Sequence, residues 1–327
     1  MTRAIARPAA AAAAAALLAA APAAAQQAPE IGIATSPQGT LFYSIATAVA
    51  KVVTGDGKVR ALIQPYGGGS QWLPLLNRGE IGMGMASAID SDDAGRGVGT
   101  YAGNPHPNVR VGGAMASLQF TMFVKDELPA KTVADLKGMR IPAEYPSALV
   151  VVRAMTAYIA AAGMTFADFT PVPTSTLAQN AADFKTGKVD IGTLPVGAGA
   201  VTELNASVKG GIRYLNMDDS PAALARMHKV LPYVYTQVLT PSPARVGIRE
   251  PITVMAYDTW ILLSKDLPDA TVYEIVKSVH AGKDALSAAF PWFRAFDPAK
   301  MAKKFTVEYH PGAVKYFTEQ GQWPPKG

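Results

Sequence analysis

The sequence predicts an α/β fold in two lobes, each a mixed sheet flanked by helices. Short apolar strand patterns alternate with helical patterns along the chain, and residues 31–50 show this first. The alternation restarts near residue 139 after an extended stretch, which indicates a second α/β lobe. Roughly 300 residues remain after an N-terminal leader, a length that favours two domains.

The N-terminal leader, residues 1–25, has the pattern of a secretory signal peptide. Arg3 and Arg7 give a basic start, an alanine-rich run around Leu17-Leu18 follows, and Ala23–Ala25 supply the small residues of a cleavage site. We therefore expect the leader to be removed and the mature protein to be periplasmic. The chain has no cysteine, which fits an exported protein whose core is large enough to need no disulfide.

Two stretches mark where the chain passes between the predicted lobes. Residues 118–124 alternate in polarity like a strand that leaves the first lobe, and residues 231–251 are rich in proline, as in an irregular crossing. We therefore assign residues 26–118 and 245–327 to lobe I and residues 119–244 to lobe II.

The first strand–turn–helix unit is the principal candidate for a binding site. Ile31–Ala34 has the pattern of a short buried strand, and helical spacing begins after the polar turn Ser36–Thr40. Such a turn directs backbone N–H groups and the positive end of the helix dipole toward one point, which suits a carboxylate. The predicted ligand-binding residues of this unit are Ser36, Gln38, Gly39, Thr40 and Tyr43.

The next two predicted strands end in similar polar turns. After the strand Val59–Gln64, glycines let the backbone approach a ligand closely, and a helix follows. No Gly-Lys-Ser/Thr follows these glycines, so the turn is not a phosphate-binding P-loop. We attribute Gly82 and Gly84, in the strand Ile81–Ala86, to close packing rather than to dinucleotide binding. The predicted ligand-binding residues of these two turns are Tyr66, Gly68, Gly69, Ser70, Ser87 and Asp90.

The same pattern recurs in the second lobe. A turn at residues 144–147 leads into a helix predicted over 148–162, and a strand predicted at 188–194 is followed by Pro195–Gly199 at the start of another helix. Arg153, on the first of these helices, is a candidate partner for a ligand carboxylate. The predicted ligand-binding residues of this lobe are Tyr145, Ser147, Val196 and Gly197.

Composition and motif content argue against nucleic-acid binding, a metal site and catalysis. The formal charge of +5 falls to +3 once the two leader arginines are removed, and no basic run appears, so we expect no nucleic-acid partner. The four histidines are scattered without metal-ligand spacing. Neither a Gly-x-Ser-x-Gly elbow nor a cysteine nucleophile is present. We therefore expect a binding protein without a cofactor.

The order of the segments resembles that of the TAXI class, the extracytoplasmic receptors of tripartite ATP-independent periplasmic (TRAP) transporters. The resemblance covers nearly all of the mature chain and depends on the order and spacing of four motifs together. Gly39–Ala46 is similar to the class's Gly-Gly-Thr-Tyr-Tyr-Pro-Ile-Gly turn, and Val133–Ile141 to its Leu-Ala-Asp-Leu-Lys-Gly-Lys-Arg-Val. The other two are the glycine turn Tyr66–Gly69 with Leu73–Glu80, and the His-Pro-Gly-Ala ending at Tyr309–Phe317.

The resemblance implies a two-lobed periplasmic binding protein fold, a type II-like clamp that holds a ligand between its lobes. It also implies capture of a small organic acid and its delivery to TRAP permease subunits in the membrane. Leu41 and Tyr66 stand where the class has threonines, so polar ligand contacts are replaced by larger, more apolar groups. We therefore expect a more apolar or aromatic acid than glutamate.

Three other interpretations of the sequence remain open at this point. An ABC-type binding protein, or a sensor input domain of the same fold, would share these features. An enzyme built on the same clamp would need an acid/base pair or a nucleophile in the cleft, and the sequence offers none with recognisable spacing. An interaction protein without a ligand would show no stabilisation by small molecules.

Overall fold

The computed structural model describes residues 1–2, 28–146 and 148–325. The predicted signal peptide lies almost wholly outside these ranges. The strands are β1 (Glu30–Thr35), β2 (Arg60–Pro65), β3 (Met83–Ser87), β4 (Val109–Phe120), β5 (Phe123–Lys125), β6 (Arg140–Glu144), β7 (Thr170–Thr174), β8 (Ile212–Tyr214), β9 (Tyr235–Leu239) and β10 (Ile252–Ser264). The α-helices are α1 (Leu41–Gly55), α2 (Gly69–Asn77), α3 (Ala88–Arg96), α4 (Leu149–Ala161), α5 (Leu177–Thr186), α6 (Gly199–Ser207), α7 (Pro221–Val230), α8 (Asp269–Ala281), α9 (Lys283–Ala289) and α10 (Pro311–Glu319).

The larger sheet has the strand order β2-β1-β3-β10-β4, and β9 pairs with β10. β1 is parallel to both β2 and β3, because the connecting helices α1 and α2 carry the chain back to the same end of the sheet. β10 is antiparallel to β3, β4 and β9. The carboxyl ends of β1, β2 and β3 therefore meet at one edge, where the three predicted turns of the first lobe follow them.

The second lobe contains two short strand pairs, β5 with β8 and β6 with β7. Residues 190–192 lie between these pairs: Asp190 N–H donates to the Arg140 carbonyl at 3.0 Å, and Gly192 exchanges hydrogen bonds of 2.8 and 2.9 Å with Phe123. The regular strand predicted at 188–194 is therefore wrong, because the chain changes partner within two residues and forms only an isolated bridge. The second lobe therefore contains two small sheets, one antiparallel and one parallel, which residues 190–192 link and helices flank.

The predicted boundaries between the lobes stay a prediction. β4 and β10 are the longest strands of the described chain, with 12 and 13 residues, and they run from the larger sheet toward the second lobe. β9 lies inside the range assigned to lobe II, yet it pairs with β10 of the larger sheet.

Gly82 and Gly84, just before and within β3, lie where neighbouring side chains leave no room for a Cβ. A Cβ added at Gly84 would lie 2.5 Å from the Trp72 ring of α2, and one added at Gly82 would lie 2.9 Å from Ile31. The prediction that these glycines serve packing is thus confirmed. Among the described residues, the helices are all too short or too polar to cross a membrane.

Candidate functional site

A cavity of about 490 Å³ lies between the two lobes, which we call the interlobe cavity. The larger sheet and its helices contribute Ser36, Pro37, Gln38, Gly39, Thr40, Leu41, Phe42, Gly67, Gly68, Gly69, Trp72, Met85, Ala86, Ser87, Asp90, Leu118, Phe120 and Tyr257. The second lobe contributes Ala148, Val150, Val151, Thr176, Leu177, Ala178, Thr193, Leu194, Pro195, Ala198, Ala200 and Glu203. The volume and the mainly apolar lining are typical of a small-molecule site.

The topology brings six helix N-termini to the interlobe cavity. In the first lobe α1, α2 and α3 each start directly after the carboxyl end of a parallel strand, and residues of all three junctions line the cavity. In the second lobe α4 and α5 follow β6 and β7 in the same way, and α6 follows the bridge at 190–192. Because each helix N-terminus carries partial positive charge, the arrangement favours a negatively charged or hydrogen-bond-accepting ligand.

Three of these helices have a hydroxyl cap. Thr40 accepts a hydrogen bond from the Tyr43 N–H at 3.3 Å in α1, and Ser87 accepts one from the Asp90 N–H at 3.1 Å in α3. In α5, Thr176 accepts one from the Gln179 N–H at 3.0 Å. At each of these ends a hydroxyl of the chain itself already satisfies one backbone donor.

The other three helices begin without a side-chain cap. Their N-cap residues are Gly68 before α2, Ala148 before α4 and Ala198 before α6, none of which has a side-chain acceptor. Helix ends of this kind leave their first N–H groups to be satisfied by solvent or by a ligand. The third N–H of each helix donates to the carbonyl of its own N-cap residue at 2.9 to 3.1 Å, so the residues before it are the candidate backbone contacts for a bound molecule.

Asp90 is the carboxyl that is buried in the cavity wall, within the part of the chain that the structure describes. It is 7% exposed, and the Tyr101 hydroxyl donates to its Oδ1 at 3.5 Å. Burial, with a further contribution from the Asp93 carboxylate, raises the pKa of Asp90 to about 7. The lining residues identified within the described ranges include no lysine, arginine or histidine, so no basic side chain of the wall compensates this carboxyl.

An ion pair joins the two lobes beside the cavity. Arg153 of α4 donates from Nε and Nη2 to the two carboxylate oxygens of Asp93 in α3, both at 3.0 Å. Arg153, a candidate for a ligand carboxylate, is thus engaged with Asp93 and is not among the lining residues. Burial still raises the pKa of Asp93, although the guanidinium opposes this shift.

The structure brings residues of all three predicted turns to the same cavity. The predicted site residues that line it are Ser36, Gln38, Gly39, Thr40, Gly68, Gly69, Ser87 and Asp90. The predicted site residues outside the lining are Tyr43, Tyr66, Ser70, Tyr145, Val196 and Gly197. Ser147 lies outside the described residues.

Tyr145 supports the cavity wall from behind. Its side chain is fully buried, and its hydroxyl forms a 2.8 Å hydrogen bond with Thr193, which lines the cavity. Thr193 also donates its N–H to the Asn180 side chain at 3.0 Å. Tyr145 and the preceding Glu144 have φ values of 39° and 78°, a left-handed backbone that costs side chains about 1–3 kcal/mol each. Tyr145 therefore adjoins the cavity through Thr193 at this strained turn, and its predicted contact with a ligand stays a prediction.

Local geometry explains why three of the predicted residues lie outside the cavity lining, namely Tyr43, Tyr66 and Val196. Tyr43 lies one residue past Phe42, so its side chain points to a different face of α1. The Tyr66 N–H is bonded to the Thr35 carbonyl at 2.8 Å, which continues the β1–β2 pairing past the strand end. Val196 is buried in the core of the second lobe. Gly197 takes a φ of 83°, so its role is to turn the chain toward α6.

The apolar residues of the wall were missed as site residues. Trp72, Phe120 and Tyr257 come from the larger sheet and α2, while Val150 and Val151 come from α4. Their sequence signal is that of ordinary core residues, since an apolar residue at helical or strand spacing looks the same whether it faces a core or a cavity. Only the relative placement of the lobes separates the two cases.

Comparisons with known proteins agree with this architecture. The chain matches the NMT1-like family over residues 33–321 and belongs to that family. No curated protein sequence matches it. The periplasmic binding protein BugD is similar in structure, with a TM-score of 0.55 and 12% identity over 90% of this chain and 95% of that one.

Two further solved structures are similar. A protein of Bordetella bronchiseptica RB50 gives a TM-score of 0.53 and 14% identity over 90% of this chain and 99% of that one. A protein described as a periplasmic transporter gives a TM-score of 0.53 and 14% identity over 91% and 96%. The chain thus has the α/β fold of periplasmic binding proteins, and the predicted fold class is confirmed.

Proposed function

We propose that this member of the NMT1-like family is an extracytoplasmic solute-binding protein that captures a small organic acid and delivers it to a membrane transporter. The convergence of six helix N-termini from both lobes on one cavity carries this proposal. Helix N-termini stabilise an anion without a basic side chain, because their N–H groups are preorganised and carry partial positive charge.

The apolar part of the wall supports an acid with an aromatic or aliphatic body. Trp72, Phe42 and Phe120 line one side of the cavity, and Val150 and Val151 line the other. A ligand enclosed between them gains roughly 25 cal/mol for each Å² of apolar surface removed from water. A dicarboxylate such as glutamate would bury a second charge against this wall, so we expect it to bind more weakly than a monocarboxylate.

Two classes of transporter fit the protein. The order of the four segments named above supports delivery to a TRAP permease. The comparisons identify the broader NMT1-like family and the periplasmic binding protein fold, so an ABC-type permease is supported at least as well. Uptake of the identified ligand into spheroplasts separates them: vanadate blocks ATP-driven import, whereas collapse of the ion gradient blocks a TRAP transporter.

A ligand screen by thermal shift and calorimetry tests the proposed capture. The panel contains benzoate, phenylacetate, hexanoate, glutamate, oxoglutarate and a short alkanesulfonate. An acid present at about 100 times its Kd should add about 2.7 kcal/mol to the free energy of unfolding. We expect the largest rise in Tm from the apolar monocarboxylates. Tight glutamate binding with no response to them would contradict the proposed ligand class, and no response to any acid would overturn the proposed function.

A pair of variants on α6 tests whether binding takes place in the interlobe cavity. Ala200 lines the cavity, whereas Thr202, two residues later on the same helix, is exposed and outside the lining. Ala200→Trp should fill the cavity and weaken binding of the best acid by about 100-fold or more, while Thr202→Trp should leave its Kd unchanged within about twofold. Equal affinity in both variants would place the binding site elsewhere.

A further inference from the structure

We propose that Asp90 holds its ligand as a neutral carboxylic acid, so that capture of an organic anion takes up one proton from solvent. The inference rests on the proposed function, because it requires an anionic ligand. It makes Asp90 a specificity-determining residue, and it makes affinity for the acid depend on pH.

The Asp90 carboxyl lies beside the start of α2. A Cβ added at Gly69 would lie 3.0 Å from Asp90 Oδ2, so the carboxyl rests against the first residue of α2. That helix has no side-chain cap, and its N-terminus faces the cavity. The place where the backbone of α2 would hold a ligand carboxylate is therefore the place that Asp90 already borders.

The charged groups around Asp90 are acidic or already paired. Asp93 on the same helix is acidic and buried, and Glu203 across the cavity is acidic and exposed. The Tyr101 hydroxyl and Tyr257 are the titratable groups that face Asp90 from the neighbouring elements. The nearby cations are already paired, Arg153 with Asp93 and Arg96 with Asp92.

An ionised Asp90 and a ligand carboxylate would therefore repel each other strongly at this end of the cavity. Like charges a few ångströms apart in a buried site force one carboxyl to keep a proton. The proton resides on Asp90, since burial and the Asp93 carboxylate already raise the pKa of Asp90 to about 7. The neutral acid then donates a short O–H···O⁻ hydrogen bond to the ligand, a bond that an amide or an amine cannot accept in the same way.

Direct titration of the ligand-free protein is the first experiment. Aspartate is labelled at its carboxyl carbon, and the NMR signal of Asp90 is identified by its absence in Asp90→Asn. We expect a titration midpoint near neutrality. A midpoint in the ordinary range of about pH 4 would overturn the inference without any ligand being used.

Calorimetry with phenylacetate is the second experiment, performed at about pH 8.5 in two buffers of different protonation enthalpy. The expected uptake is about one proton per ligand, and the affinity should fall about tenfold per pH unit above neutrality. Asp90→Asn should abolish the uptake and flatten the pH dependence. Asp266→Asn, which removes an exposed carboxyl after β10, should keep both.

The remaining outcomes separate the inference from the proposed function. Phenylacetate binding without proton uptake overturns the inference and leaves the proposed function intact. Binding of benzylamine in preference to phenylacetate and phenylacetamide overturns both, because Asp90 would then be an ionised partner for a cation. Binding of no acid in the panel described above removes the proposed function and the inference together.

Discussion

The two walls of the interlobe cavity differ in what they offer a ligand. The wall formed by the larger sheet carries the buried carboxyl of Asp90 and the large rings of Trp72 and Tyr257. The wall formed by the second lobe carries small side chains such as Ala148 and Ala198, and its ionisable residue Glu203 is exposed. We therefore expect the first wall to govern the charge of the ligand and the second wall to govern its size and shape.

The largest effect on the free energy of unfolding should come from substituting Asp90. Its pKa is raised from 3.8 to about 7 in the folded protein, so the folded state holds a proton that the unfolded state has lost across this window. The contribution of Asp90 to stability is therefore fully present below about pH 4 and is lost as the pH rises through about 7. Asp90→Asn should remove this loss and stabilise the protein at about pH 8 by up to roughly 4 kcal/mol. Urea unfolding across the pH range measures it, and parallel profiles for parent and variant would refute the titration.

The next effect concerns the ion pair that links the two walls. Arg153→Met leaves the carboxylate of Asp93, which is 1% exposed, buried without its partner, and should cost about 3 kcal/mol at neutral pH. The cost should shrink in acid, where Asp93 can be protonated. Chemical denaturation at two pH values measures this. A loss below about 0.5 kcal/mol would mean that the pair contributes no more than a surface ion pair.

A smaller effect is expected from the backbone of the second lobe. A Cβ at Gly192 would lie 2.0 Å from the Phe123 ring, which is held by Phe184 and Tyr214 at centroid distances of 5.0 and 5.4 Å. Gly192→Ala should therefore destabilise the protein by about 2 kcal/mol. Gly199→Ala is the matched control, since a Cβ there meets nothing within 4 Å. Equal stability of the two variants, measured by urea unfolding, would show that the Phe123 ring moves freely.

The smallest effect is expected from the support of Thr193. Tyr145→Phe removes the 2.8 Å hydrogen bond to the Thr193 hydroxyl and should cost about 1 kcal/mol of stability. Thr193 keeps its bond to Asn180, so ligand affinity should change by less than about threefold. Tyr43→Phe, at a partly exposed position, serves as the control in the same unfolding and binding measurements. A loss of ligand affinity in Tyr145→Phe as large as in Ala200→Trp would show that Tyr145 contacts the ligand after all.

The sequence was sufficient where the signal is local. The turn at Ser36–Thr40 and the glycines at Gly68 and Gly69 follow strand patterns, and turn chemistry with helical spacing is enough to predict a helix start. The parallel arrangement of β1, β2 and β3 follows from the crossover helices. It brings these turns to one sheet edge, where they line the cavity.

The sequence was insufficient where tertiary structure decides. α3 is mostly polar, so it shows no apolar face, yet Asp90, Asp92 and Asp93 are buried because Arg96 and Arg153 pair with two of them. The side chain of Tyr145 turns inward because its backbone is left-handed, which no spacing rule gives. Phe120 and Val151 become site residues only once the two lobes face each other.

Helix starts with and without a side-chain cap alternate along the chain, and this alternation has a consequence for how the ligand of such a protein can change. A single serine or threonine introduced at position 148 or 198 would place a hydroxyl acceptor at the start of α4 or α6, beside the cavity. We therefore expect that the range of bound molecules can be changed at the starts of these two helices, by residues too small to disturb the framework beneath them.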